Sequence, residues 1–178
     1  MATQHPSSTE LNRAINEIEQ HVGADGWDQP PRLYALAEAD ELLRRAPALA
    51  AELGIEPSES AEPTLIPIEQ ELPETSLEEL LSTISWPEGV VGAALAVERI
   101  VLPEGVEESV PADTDVNEWA QQHPERTDVR IVAAALRAGP RASVLRVRGH
   151  ESDTDLIRDP EFTPDLCAAL AETLTAAG

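Results

Sequence analysis

DVRIVAAALRAGPRASVLRVRGH, residues 128 to 150, reads as two antiparallel strands. β-Branched residues punctuate both halves, and Gly139-Pro140-Arg141 supplies a tight turn between them. So short a connection joins antiparallel strands only, because a parallel crossover needs a dozen residues or more. The chain is therefore expected to be α+β, with an antiparallel β-meander sheet packed with helices.

The second strand also raises the question of function. Val144, Arg146, Arg148 and His150 share one face, while Leu145 and Val147 share the other. Within residues 125–150, Arg126, Arg130, Arg137, Arg141, Arg146 and Arg148 stand against only Glu125 and Asp128, a net +4 (six minus two) inside a chain of −22. One reading is an anion or acidic-partner site on the open face of the sheet, carried by Arg146, Arg148 and His150. The other, which the charge balance favours, is intramolecular: the arginines pair with surplus glutamates of the helices or solvate an exposed face.

Working outward, the run from Val90 to Leu102 is apolar on both alternating sets apart from Glu98 and Arg99, as a central strand covered on both faces would be. TLIPIEQEL (64–72) is a short strand. TSLEELLSTI (75–84) opens with a Thr75/Glu78 capping box and puts Leu77, Leu80, Leu81 and Ile84 on one face of a helix. Trp86 plugs the junction that follows. A short helix over 116–122 carries Trp119, and a last helix starts at Thr163-Pro164 with Leu166, Leu170 and Leu174 inward.

Upstream, residues 9–22 form a helix with Leu11, Ile15, Ile18 and Val22 in one stripe and capping-box spacing at Ser7 and Glu10. Asp25-Gly26 is a turn, and Pro30-Pro31 forces extended backbone. Leu33, Leu36, Ala37 and Leu43 have helical spacing, so a second helix is expected from Pro31 to Pro47, then a short one ending at Gly54. The sheet would thus be preceded by an N-terminal helical hairpin: a single domain over 1–178, with a helical arm at 1–56, a linker at 57–64 and the sheet with its helices at 65–178.

The loop GADGWDQPP (23–31) holds Trp27 and Asp28, with Tyr34 just beyond. It is either an aromatic contact surface or a connector whose tryptophan fills the gap between the first two helices. The second reading is favoured, since a chain with 3% aromatic residues needs its few large side chains in the core.

Composition excludes several chemistries. All 12 basic residues are arginine, so there is no lysine for a Walker A loop, a pyridoxal Schiff base or a kinase-type ATP site. Neither G-x-G-x-x-G nor G-x-S-x-G occurs. A charge of −22 disfavours nucleic acid and anionic membrane as partners. The lone Cys167 forbids an internal disulfide, fits a reducing compartment, and reads as a small buried hydrophobe. Asp113, Asp115 and Asn117 alternate as in a calcium loop, but Glu118 and Pro124 stand where glycine and glutamate are required, so a solvated loop is the better reading. The histidines show no paired zinc spacing. No cofactor and no metal are implied, and a cytoplasmic location is expected.

Together and in order, HVGADGWDQPPRLYAL, IPIEQELP, WPEGVVGAALAVER, HPERTDVR and LRVRGH resemble a family of conserved hypothetical proteins from high-GC Gram-positive (actinobacterial) bacteria. The similarity runs from about His21 to the last helix. It implies a cytosolic single-domain α+β protein and carries no activity, cofactor or catalytic residue. The functional expectation is a non-enzymatic interaction or adaptor protein that docks a protein partner through the arginine face, the Trp27 loop, or both. The candidate binding residues are Trp27, Asp28, Tyr34, Arg146, Arg148 and His150. The alternative is a small anionic-ligand binder or enzyme with a site between the sheet and the helical arm. Self-association into a homo-oligomer is a third reading.

Overall fold

The computed structural model describes residues 6–56, 63–87, 89–102, 105, 110–150, 152, 155–158 and 164–175. Its elements, in chain order, are α1 (Ser8–Ala24), β1 (Arg32–Glu38), α2 (Ala39–Arg45), α3 (Pro47–Glu52), β2 (Leu65–Gln70), α4 (Leu77–Thr83), β3 (Val90–Val101), α5 (Val116–Gln122), β4 (Thr127–Leu136), β5 (Arg141–Val147), β6 (Ile157–Arg158) and α6 (Pro164–Thr175). The strands form one six-stranded sheet in the order β2-β1-β3-β4-β5-β6, antiparallel at every step. The fold is α+β, with helices on both faces of an open antiparallel sheet.

The two faces carry two cores. Leu11, Ala14, Ile15, Ile18 and Val22 of α1 pack on Tyr34, Leu36, Ala94, Ala96, Val132, Ala134 and Val144. On the opposite face Cys167, Leu170 and Leu174 of α6, with Leu80 of α4 and Trp86, cover Leu33, Ala35, Leu95, Val97, Val129 and Ile131. In the middle of the sheet alanine meets alanine, with Ala93 opposite Ala135 and Ala94 opposite Ala134. Such small side chains let α1 and α6 settle close to the backbone.

The expected second helix is a strand. β1 pairs with β2 on one side and β3 on the other, so the expected arm contributes a strand to the sheet, and the described residues form no N-terminal helical hairpin. All of Leu33 to Ala37 are buried, because α1 covers one face of β1 and the second core covers the other. A strand buried on both faces loses its period of two, and the alanine and leucine that remain mimic helical spacing. Pro30 and Pro31 directly precede β1, which starts at Arg32. Helix begins only at Ala39, whose N–H donates to the Thr64 carbonyl, and Leu43 falls in α2.

Smaller expectations resolve similarly. Ser7 caps α1, accepting from the Glu10 N–H. The α4 cap is one residue later than expected: Ser76 accepts from the Glu79 N–H, and Thr75 donates to the Glu79 carboxylate instead. α3 ends before Gly54, at φ 70°. Trp86 is buried, its Nε1 donating to Thr173 Oγ1 at 2.9 Å. Thr163 and residues 57–62 of the expected linker lie outside the described residues. No described helix is long and apolar enough to cross a membrane.

Both ends of the sheet matter. β2 is an edge strand and contains Pro67, which has no N–H to offer a further strand. The Leu65 N–H donates to Glu10 Oε1 and its carbonyl accepts from Arg13 Nη2, each at 2.9 Å. Two side chains of α1 thus occupy the start of this edge.

Where β1 meets β3 the register slips between Leu36 and Ala37, whose partners are Gly92 and Val90, leaving Val91 as the extra residue of a bulge. A Cβ on Gly92 would come within 2.6 Å of Leu136 Cδ2 and 2.8 Å of the Ala135 carbonyl oxygen, which is fixed in the ladder. Gly92→Ala is expected to cost about 1–3 kcal/mol through overpacking, read as a lowered midpoint in urea denaturation.

Candidate functional site

On the α1 face, Glu98, Arg130 and Arg146 lie side by side across three strands. Above them Glu19 of α1 is 2% exposed, Arg130 1% and Arg146 4%. Glu19 takes a forked pair of bonds from Arg146, at 2.5 Å to Nε and 3.0 Å to Nη2, and a 3.2 Å bond from Arg130 Nη1. One buried carboxylate therefore serves two buried guanidinium groups. The surplus positive charge is spread over carbonyl oxygens: Gly26 accepts from Arg130 at 2.8 Å, and His150 and Ser152 accept from Arg146 at 2.8 and 2.9 Å. Gly23 makes room, since a Cβ there would lie 3.1 Å from Arg130 Nη1.

This corrects the expectation of an open arginine face. Arg146 faces α1, not solvent, and its charge is committed to Glu19. His150 contributes to the cluster through its carbonyl oxygen rather than its ring. The intramolecular reading applies to Arg130 and Arg146. Arg137, though exposed, also bonds within the chain, donating to the Val90, Trp86 and Leu174 carbonyls and so tying the end of β4 to β3 and α6.

The Trp27 loop leans on this cluster. Arg130 stacks 4.4 Å from the indole centroid and Arg148 lies 5.6 Å from it, so the ring borders two cations. Trp27 is half-buried against these arginines; the gap it was expected to fill does not exist, since β1 stands where the second helix was placed. Next to it, Asp28 has φ 65°, the one positive value at a non-glycine among the described residues. Left-handed backbone costs an L-residue about 1 kcal/mol, and here it is braced from both ends. Glu98 accepts the N–H groups of Asp28 and Gln29, both at 2.9 Å. The Asp28 carboxylate takes both terminal nitrogens of Arg148 at 2.9 Å. Hydrogen bonding to Arg148, helped by attraction to Arg148 and Arg126 against some desolvation, holds the Asp28 carboxyl below its ordinary value.

Tyr34 lies elsewhere. It is buried under α1, with its hydroxyl donating to Glu69 Oε1 at 3.1 Å. Burial pushes its phenol above the ordinary value. Burial also pushes Glu69 up, but hydrogen bonds from Arg32 and Tyr34 outweigh it and hold that carboxyl low. Trp27 and Tyr34 therefore do not build the shared aromatic surface that their spacing implied.

Beside the Trp27 loop opens a crevice of about 380 Å³, lined by Asp28, Glu98, Arg99, Arg126, Asp128 and Arg148 among others. Asp28 and Arg148 join a concave site as candidates; Arg146 and His150 do not line it. Arg99 and Arg126 were not singled out as site residues. The signal that could have found them is that β3 and β4 pair there, with Ile100 opposite Asp128. Cys167 is buried in the second core, and no group of three or more His, Cys, Asp or Glu among the described residues could hold a metal ion.

An open antiparallel α+β sheet with an arginine–glutamate cluster under its first helix, bracing an exposed tryptophan-aspartate loop, defines the class of protein. A family model, that of PPA1309-like protein, matches residues 11–175, and the chain belongs to this family. No curated protein and no solved structure matches it.

Glu19→Gln, which leaves two buried guanidinium groups short of a counter-charge, is expected to cost about 3–5 kcal/mol in urea denaturation. Arg146→Glu should fail to fold stably because it sets a carboxylate against Glu19, whereas an apolar triple replacement of Glu19, Arg130 and Arg146 should be far milder. The pH dependence follows from Asp28. Its folded value is depressed, so the brace is present above the unfolded aspartate value of about 4 and is lost as pH falls through the lower folded value. The Trp27 indole N–H resonance should shift over that acid range in the wild type and lack that step in Asp28→Asn.

Proposed function

We propose that this is a non-enzymatic protein-binding protein that docks a partner at the Trp27 loop and the crevice beside it. The observation that carries the reading is the bracing of an exposed loop. Asp28, 74% exposed at its side chain, is held in left-handed backbone by two amide bonds to Glu98 and a bidentate ion pair to Arg148. A plain connector needs no such pre-organisation, whereas a contact surface gains from it because little entropy is lost on binding. Tryptophan and arginine are also the residues most often found to anchor interfaces. Asp28, Glu98, Asp128 and Arg148 around it are spent on structural pairing, which supports binding over catalysis.

The −22 charge favours a neutral or basic partner. A cytosolic location accords with the lone, buried cysteine, and an actinobacterial source with arginine used to the exclusion of lysine. The small-ligand alternative keeps one argument in its favour, the concavity of the crevice, but not Arg146, which is sequestered.

Affinity capture from native lysate, comparing wild type with Trp27→Ala and Arg148→Glu, tests the reading. A partner recovered at least ten-fold less with either variant, at unchanged circular dichroism, is the expected result. Equal recovery with all three baits overturns it.

A further inference from the structure

The border formed by β2 is blunted at one end only. The Ala39 N–H donates to the Thr64 carbonyl, so the alternation of an antiparallel ladder turns the backbone groups of Leu65, Pro67 and Glu69 away from β1. At Leu65 both groups are taken, by Glu10 and Arg13. Pro67 has no N–H. At Glu69 neither the N–H nor the carbonyl has a partner among the described residues. Glu69 also borders two concavities. On the α1 face a crevice of about 260 Å³ is lined by Glu17, Ile18, His21, Tyr34 and Pro67 as well. Where β2 ends, a mainly apolar groove of about 350 Å³ runs past Gln70 to Leu72, Pro73, Leu77 and Leu80. The charge around this end of the strand is one-sided. Arg13 is held by Glu10 and Glu17, and Arg32 by Asp25 and Glu69. No basic residue stands between Arg45 and Arg99, a stretch with eleven glutamates.

We propose that the Glu69 end of β2 takes an extended segment of a basic partner protein as an added strand. The Glu69 N–H and carbonyl supply main-chain pairing, and the pleat sends the segment's side chains alternately to the two faces of the sheet. A basic side chain beside Glu69 meets the Glu17 and Glu69 carboxylates. An apolar one beyond Gln70 enters the groove of Leu72, Leu77 and Leu80. Charge selects this occupant over a second copy of the chain, because two β2 edges laid together would set Glu69 and Glu71 of one against those of the other. The site uses neither Trp27 nor the crevice beside it, so the inference goes beyond the docking reading and does not rest on it.

The test titrates the full chain with N-acetyl-Val-Arg-Val-Arg-Val-amide, with its Val-Glu-Val-Glu-Val counterpart, and with the arginine peptide methylated on its backbone nitrogens. Backbone amide shifts and hydrogen exchange are the readouts. The expected result is at least ten-fold tighter binding of the arginine peptide than of either control. Shifts should centre on residues 67–72 and 17–21, and exchange of the Glu69 amide should slow. Glu69→Pro removes the outward N–H without breaking a bond to β1 and should weaken binding at least ten-fold. Glu69→Gln, which keeps that N–H, should weaken it less, and Trp27→Ala should leave it unchanged. If Glu69→Pro fails to fold, exchange of the wild-type Glu69 amide decides. Equal binding of the three peptides, an unaltered Glu69 amide in the bound state, or ten-fold weakening by Trp27→Ala overturns the inference. So does a dimer of the free protein in which the Glu69 amide is already protected, since the occupant is then a second copy.

Discussion

The structure turns on a single buried carboxylate. Glu19 fixes α1 over β4 and β5 by holding Arg130 and Arg146 at once, and the Trp27 loop leans on that arrangement. A buried ion pair is a weak source of net stability, because desolvating the charges offsets most of their attraction. Its effect is on specificity. With two guanidinium groups sharing one acid, the pairing ties α1 to β4 and β5 at one point, which gives the helix a directional anchor as well as an apolar face. The alanine-rich floor beneath it could not supply that, since flat, small side chains resist sliding poorly.

From that anchor the order propagates to the surface. Arg130 bonds the Gly26 carbonyl and stacks on Trp27; Glu98, its neighbour across the ladder, holds the next two amides. The exposed loop is thus an extension of the buried cluster. Loop and core share the same residues, so changes to the cluster alter the presented surface even where the fold survives.

Much of this could be read from the sequence, and the failures have physical causes. The 128–150 hairpin, the central strand at 90–101, α1 and α6 each have a period or a turn that tertiary structure only reinforces. β1 was illegible because double burial erased its alternation. The positive island at 125–150 was visible, and so was its favoured use in pairing with helix glutamates, but not which arginines are buried. Burial of Arg146 depends on which face α1 covers, and nothing local to ASVLRVRGH encodes that. Trp27 and Tyr34, seven residues apart, looked like parts of one surface only while Tyr34 was placed at the start of a helix beginning at Pro31. Arg99 and Arg126 sit 27 positions apart, and strand pairing alone brings both to the border of one crevice.

The occupied edge of β2 has a consequence for assembly. Sheets that extend between molecules need an unpaired strand on each side to grow without limit. Here one border is occupied at its start by Glu10 and Arg13 and interrupted by Pro67, and the other, among the described residues, is the two-residue β6, which pairs with Val144 and Leu145 of β5. Strand addition at one border alone joins two copies about a two-fold axis and then stops. At the start of β2, a strand from another molecule would meet side chains and a proline in place of free backbone groups.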